Sequence, residues 1–205
     1  MKKFPIKDPF FQKAVKGIEL APLIPDTDYF NYLVRSVVYQ QLSGKSAASI
    51  YRRFCDLFPN GRPTPKKILE LPVSDLRTAG LSGQKASYIR NIAEFAVEND
   101  FSAARLDAMT DHEVIAHLTP IKGVGKWTVE MMLIFAMDRP DVFPIDDFGI
   151  SSGIQLMYGL DPKLPKKELH RHMLEISAAW QPHRSLATRY IWVWKDRQKV
   201  VTGRK

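Results

Sequence analysis

The chain has 205 residues and is 45% apolar, enough for one large domain or two small lobes with a sizeable core. Its single cysteine, Cys55, excludes an intrachain disulfide and any four-cysteine zinc or iron–sulfur site built by this chain alone, and reads as a small core residue. Thirty Lys and Arg against twenty-two Asp and Glu leave a formal charge of +8, which favours a polyanionic partner without specifying one.

Residues 1–28, with Pro5, Pro9, Pro22 and Pro25, read as an extended arm or a short helix that packs on the later part of the chain. The start, MKKFPIKDPF, has lysines but no apolar run behind them, and no other segment is long and uncharged enough to span a membrane. A soluble intracellular protein is expected, cytoplasmic or nucleoid-associated in a bacterium and nuclear in a eukaryote.

Apolar residues then recur at helical spacing in nine segments, beginning with YFNYLVRSVVYQQL, SAASIYRRFCDLF, PKKILEL and KASYIRNIAEFAVEN. The series continues through DHEVIAHL, KWTVEMMLIFAM, GISSGIQLMYGL, KKELHRHMLEISAAW and SLATRYIWVWKDR. Short breaks such as PNGRPTP, AGLSG, IKGVG, DRPD and QPHR hold the Pro, Gly and Asn that punctuate helices. No alternating strand pattern and no internal repeat is visible, so the fold class is all-α, with breaks too short for interdomain linkers. One lobe is expected over about 30–110 and a hairpin-bearing catalytic region over 111–195, within one compact unit, and the tail VTGRK is expected to fray.

The break IKGVGKWT carries the first candidate chemistry. Leu118 and Ile121 are apolar, Gly123 and Gly125 can take positive φ, and Thr128 falls in the first turn of the next helix. Two helices therefore meet in a tight hairpin. The N–H groups of Gly125, Lys126 and Trp127 lie at a helix N-terminus, unpaired and at the positive pole, where a phosphate fits. Lys126 adds charge without selecting a base, so the turn positions a nucleic acid rather than reading it; a plain helix–helix turn is the alternative. Gly123-Val124-Gly125 lacks the third glycine and the strand of a dinucleotide fingerprint. LSGKSA ends like a phosphate loop at Gly44, Lys45 and Ser46, but the first glycine of that motif would fall at Tyr39.

VFPIDDFGI places Asp146 and Asp147 before a new apolar helix. One aspartate suffices as the N-cap. A second carboxylate near a phosphate-binding hairpin would be repelled by DNA unless it had a task. Cleavage of an N-glycosidic bond supplies one, because positive charge builds on the sugar and a fixed carboxylate stabilises it.

LTPIKGVGKWTVEMML followed by DVFPIDDFGI resembles the helix-hairpin-helix DNA glycosylase superfamily, and more narrowly its alkylation-repair type, the 3-methyladenine DNA glycosylase II group. VVYQQLSGKSA, LRTAGLSGQKASYI and WQPHRSLATRYIW agree as well, so the resemblance spans about residues 29–195. It implies a bilobal all-α enzyme with its active-site cleft between two helical lobes, flipping a damaged base out of double-stranded DNA. Asp147 then matches the catalytic aspartate. Gly123, Gly125, Lys126 and Thr128 match the phosphate grip, as do Ser43, Gly44 and Lys45 of the QQLSGKSA turn. Leu42 matches the wedge that fills the vacated stack, with Gln41 facing the orphaned base or packing locally.

The same resemblance assigns Trp127, Trp192 and Tyr39 to the base pocket, where an aromatic face suits a positively charged alkylated purine. Val193 departs from the family's aromatic pair at this point. Carbonyls near Thr119, Ile121 and Val124 match a site for a sodium or potassium ion, and no other cofactor is implied. In relatives that also nick the strand, a Schiff-base lysine occupies the position of Trp127; tryptophan cannot serve, so a monofunctional enzyme using water is expected. Arg184 and Ser185 read as a helix cap and an interior pairing partner, and Gly83, Gln84 and Lys85 as a second turn that touches DNA or only packs. No extra domain precedes the first block, which suggests a compact monomeric form. The rivals are a non-catalytic hairpin module that binds DNA and a glycosylase for another lesion class.

Overall fold

The structure, a computed structural model, describes residues 5–201. Among them are twelve α-helices, one 3-10 turn at Pro59–Gly61 and no strand. In chain order the helices are α1 (Pro9–Ala14), α2 (Tyr29–Tyr39), α3 (Gly44–Cys55), α4 (Pro65–Glu70), α5 (Val73–Thr78) and α6 (Gly83–Glu98). They continue with α7 (Ala103–Asp107), α8 (Asp111–Leu118), α9 (Lys126–Phe135), α10 (Phe148–Tyr158), α11 (Lys166–Ala178) and α12 (Arg184–Val201). Periodicity finds nine of these and misses α1, α5 and α7, which at five or six residues complete too few turns to show a repeat. Of the tail, residues 202–205 lie outside the described part of the chain.

Local signals explain most boundaries. The side chains of Asp8, Asp28, Ser43, Thr64, Ser82, Ser102, Thr110 and Asp147 each accept a first-turn N–H, a cap worth ~1 kcal/mol. Thr110 and Glu113 complete a reciprocal capping box at α8. No described helix is long and apolar enough to cross a membrane.

The chain forms two compact units, residues 24–137 and residues up to 23 joined with those from 138. In the first, α2 packs on α3, α6 and α9, and Leu33, Val34, Val37 and Val38 are fully buried. In the second, α1 packs on α10, and α10 packs on α11 and α12. Its core includes Phe11, Ile150, Ile154, Met173, Trp180 and Ile191. Gly153 allows α10 to approach α12, since a Cβ there would come 2.5 Å from Ile191 Cγ2. Asp8 ties the N-terminal segment in: it caps α1 and accepts from the Tyr158 hydroxyl at 2.5 Å and the Trp180 indole at 3.2 Å.

The expected boundary near residue 110 is therefore corrected. The hairpin and α9 belong with α2–α8, because α9 is buried from Thr128 to Ile134 and packs on α2 and α8. Residues 5–23, which include α1, belong with α10–α12.

Before α12, Arg184 donates through Nε and Nη2 to Asp141 at 2.9 and 2.8 Å, while Ser185 Oγ accepts from Val142 N and donates to Arg139 O. Burial alone would raise Asp141, but the hydrogen bonds and charge of Arg184 outweigh it and hold the carboxyl below its ordinary range. A depressed native pKa stabilises the fold above the unfolded value of ~3.9, and that contribution is lost as pH falls through the native value. Asp141→Asn should thus lower the melting temperature at pH 7, with the gap to wild type closing as the pH falls below the unfolded carboxylate value. A gap that stays constant in thermal scans from neutral to acid pH would contradict the pairing.

Candidate active site and hairpin

Asp147 is the N-cap of α10, and its Oδ1 accepts from Ile150 N at 2.7 Å and from the indole Nε1 of Trp192 at 3.0 Å. The residue is only 9% exposed. Two N–H donors on one oxygen fix the carboxylate and offset its burial. Gly149 makes this possible, because a Cβ there would sit 2.8 Å from Asp147 Oδ1 and 2.9 Å from the Trp192 ring. Asp146 behaves differently: it is exposed and pairs with Lys166 at 2.7 Å, with His170 at 3.8 Å.

Capping was expected of one aspartate and the candidate chemistry of the other, yet Asp147, the candidate for the chemistry, is itself the cap through Oδ1, at a helix N-terminus that favours a negative charge. Trp192, expected as a wall of the base pocket, gives its one polar group to this carboxylate. Val193 packs against the core of the same unit. The arrangement can hold a negative charge in a set orientation beside whatever develops positive charge.

In the other unit the hairpin runs from the end of α8 to the start of α9. Gly123 has φ +103°, and a Cβ would come 2.2 Å from Tyr88 Cγ, so both backbone and space demand glycine. Asn91 Nδ2 donates to Lys122 O at 3.0 Å. Gly125, expected to use positive φ, has φ −88° and ψ 163°, an extended N-cap. A Cβ on Gly125 would meet nothing within 4 Å, so its bareness leaves the N-terminus of α9 open rather than relieving strain.

Lys126 is half-exposed, its ammonium 3.4 Å from the buried Glu130 carboxylate, which shares the charge that the lysine was expected to add. Thr128, expected among the phosphate ligands, is 4% exposed. It lines a cavity beside the start of α9.

That cavity, about 610 Å³, is lined by aromatic and apolar groups including Tyr32, Tyr39, Trp127, Met131 and Phe135, with Ser36 and Gln40 as polar neighbours. Trp127 remains 47% exposed and Tyr39 38%, so flat faces stay available for stacking. Burial pushes the Tyr32 phenol up to about 12, keeping it a neutral donor, and it donates to Met131 O at 3.2 Å. No carboxylate is among the lining residues, and the aromatic and apolar walls suit a flat ring better than a small cation.

The turn after α2 borders the same cavity through Gln40 and Gln41. Gln41 takes a left-handed φ of 57°, and Leu42 N donates to Tyr39 O at 3.3 Å. A non-glycine residue held there stores strain of about 1–3 kcal/mol and presents Leu42, 39% exposed, at the surface. Ser43 uses its hydroxyl to cap α3, while Gly44 and Lys45 are exposed in its first turn, with open space at Gly44. Ile121 O accepts Val124 N at 2.9 Å, and Thr119 is the C-cap of α8. No cluster of three or more His, Cys, Asp or Glu suited to a metal occurs among the described residues.

Sequence patterns did not single out Gly149, Tyr88, Asn91 or Tyr32. Nothing local marks Tyr88 or Asn91, because their partners lie far along the chain, and the need for Gly149 shows only once Trp192 lies beside Asp147. Tyr32 carried a weak signal as an aromatic one helical repeat before Tyr39.

An all-α scaffold with a glycine hairpin, an exposed tryptophan at the next helix start and an anchored aspartate defines a base-excision repair class. The chain belongs to the HhH-GPD superfamily of base excision DNA repair proteins, whose family model matches residues 34–179. It is 36% identical to DNA-3-methyladenine glycosylase 1 of Schizosaccharomyces pombe over 165 residues, 80% of this chain and 71% of that one. It is 33% identical to a putative DNA-3-methyladenine glycosylase of Bacillus subtilis over 177 residues, 83% of this chain and 60% of that one. Among solved structures, the S. pombe 3-methyladenine DNA glycosylase in complex with abasic DNA superposes with a TM-score of 0.77 at 33% identity, covering 91% of both chains. A DNA-3-methyladenine glycosidase from Bacillus halodurans gives 0.75 at 30%, covering 95% of this chain and 93% of that one.

The two hairpin glycines should separate cleanly. Gly123→Ala, strained and overpacked against Tyr88, should cost at least ~2 kcal/mol of stability, whereas Gly125→Ala should stay within ~0.5 kcal/mol. Denaturant melts of both variants check this, and equal losses would contradict the geometry.

Proposed function

We propose that this protein is a monofunctional DNA glycosylase that removes alkylated purines of the 3-methyladenine and 7-methylguanine type from double-stranded DNA. The observation that carries it is the buried, doubly anchored Asp147 carboxylate in a chain of the HhH-GPD family. Names borne by relatives at 36% and 33% identity favour alkylated bases over other lesions.

The chemistry follows from charge. Alkylation of a purine ring places positive charge on the leaving group, so the bond between C1′ and the ring nitrogen breaks with its electron pair going to the base. The base departs neutral and the sugar becomes cationic. Asp147 stabilises that cation, water adds at C1′, and one proton is released, leaving an abasic site. Because the leaving group is already activated, strong acid catalysis is unnecessary.

The other roles divide by chemistry. The ring of Trp127, with Tyr39, stacks on the extruded base, where a cationic purine gains from the π face. Leu42 occupies the vacated stack, Gln41 faces the orphaned partner base, and the first turns of α9 and α3, at Gly125–Lys126 and Gly44–Lys45, take backbone phosphates. A sodium or potassium ion on the carbonyls of Thr119, Ile121 and Val124 fits as hard oxygen ligation, since the Ile121 carbonyl has a second lone pair beyond its bond to Val124. The protein acts as a monomer where the chromosome is.

Two outcomes are expected. Asp147→Asn preserves an acceptor for the Ile150 and Trp192 donors but removes the charge, so base release should fall at least ~100-fold while abasic-duplex affinity changes little. Retained release in a single-turnover assay would defeat the role. Trp127 cannot form a Schiff base and Lys126 is already paired with Glu130, so borohydride should trap no protein–DNA adduct; a trapped adduct would show a lyase.

A further inference from the structure

Helix α6 reaches two separate features of its unit from one side. Lys85 Nζ donates to Val38 O at 2.7 Å and to Gln40 O at 2.6 Å, at the C-terminal end of α2. One turn on, the Tyr88 ring lies against Gly123, and beyond it Asn91 donates to Lys122 O at 3.0 Å. Residues 85, 88 and 91 thus span from the turn carrying Leu42 to the hairpin.

A lysine in the first turn of a helix is opposed by the positive pole of the dipole. Burial also lowers the pKa of this one. Its place is explained by the partner helix: the last carbonyls of α2 have no intrahelical donors and form the negative pole, which a cation satisfies. The Gln40 carbonyl it holds belongs to the peptide immediately before Gln41, the residue with left-handed φ of 57°. With the Leu42 N bond to Tyr39 O, that clamp opposes the return of Gln41 to an ordinary conformation, in which Leu42 would turn with it.

We propose that Lys85 is a positioning residue for base extrusion, clamping the Gln40–Leu42 turn and, through α6, registering Leu42 to the phosphate-gripping hairpin. This rests on the glycosylase function proposed above. A side chain that replaces a base in the stack must arrive already ordered, because unstacking is uphill and ordering a loose turn at the same moment adds to it. Loss of the clamp should therefore slow extrusion while leaving bond cleavage in an already extruded nucleotide untouched.

The test compares wild type and Lys85→Met in single-turnover release of 7-methylguanine from two duplexes, one with the lesion paired to cytosine and one with it in a single-nucleotide bulge. Release by wild type from neither duplex would refute the proposed function, not the clamp. Given wild-type release, Lys85→Met should be slower by about tenfold or more on the paired lesion and by less than about twofold on the bulged one, with Lys85→Arg recovering most of the difference. A merely structural role would lower both alike. Equal losses, or no loss on the paired lesion, would overturn the proposal. Should Lys85→Met fail to fold in a thermal melt, Lys85→Gln, a shorter and uncharged donor, is measured on the same two duplexes, where a loss on the paired lesion larger than on the bulged one is expected and equal losses or none would overturn the proposal.

Discussion

One oxygen atom, Oδ1 of Asp147, organises the functional end of its unit. It closes the first turn of α10 through Ile150 and receives the indole N–H of Trp192, which stands on α12. The contact exists only because residue 149 has no side chain, and the two helices stay in register because residue 153 has none either. A carboxylate that merely capped a helix could sit at the surface, as Asp146 does with Lys166. Asp147 is instead buried and held by two donors, which restricts its rotation and fixes where its charge acts.

The unit of residues 24–137 offers backbone rather than side chains at its hairpin. Gly123 is forced into positive φ under Tyr88, Gly125 leaves the start of α9 bare, and the nearest lysine is engaged by Glu130. Contacts of this kind hold a phosphodiester strand without distinguishing its sequence, which suits a protein whose substrate is a rare lesion in any context. Under the proposed function, discrimination falls to the cavity of Tyr32, Tyr39 and Trp127, whose aromatic walls suit a flat cationic ring.

Much of this was legible in the chain. Helical periodicity gave the class and nine of the helices, and the Pro, Gly and Asn breaks marked where they are interrupted. IKGVGKWT announced a hairpin through its glycines, and IDDFGI announced a carboxylate at a helix start. What periodicity could not supply were relations between distant residues. The partnership of Trp192 with Asp147 spans 45 positions, and that of Lys85 with Gln40 spans 45 as well, so neither leaves a local pattern. Short helices such as α5 and α7 carry too few residues for a period. The unit boundary was misplaced because α9 is apolar nearly all round, and only its packing on α2 and α8 shows which core it completes.

The account depends on Asp147 presenting negative charge to a cationic sugar, and a binding ratio isolates that claim from turnover. The measurement is the affinity of wild type and Asp147→Asn for two duplexes, one with a cationic pyrrolidine in place of the abasic sugar and one with an isosteric neutral tetrahydrofuran. Wild type should favour the cation by about 100-fold or more, and Asp147→Asn should bind both nearly equally. A preference of the same size in both proteins would place the stabilising charge elsewhere and contradict the assignment.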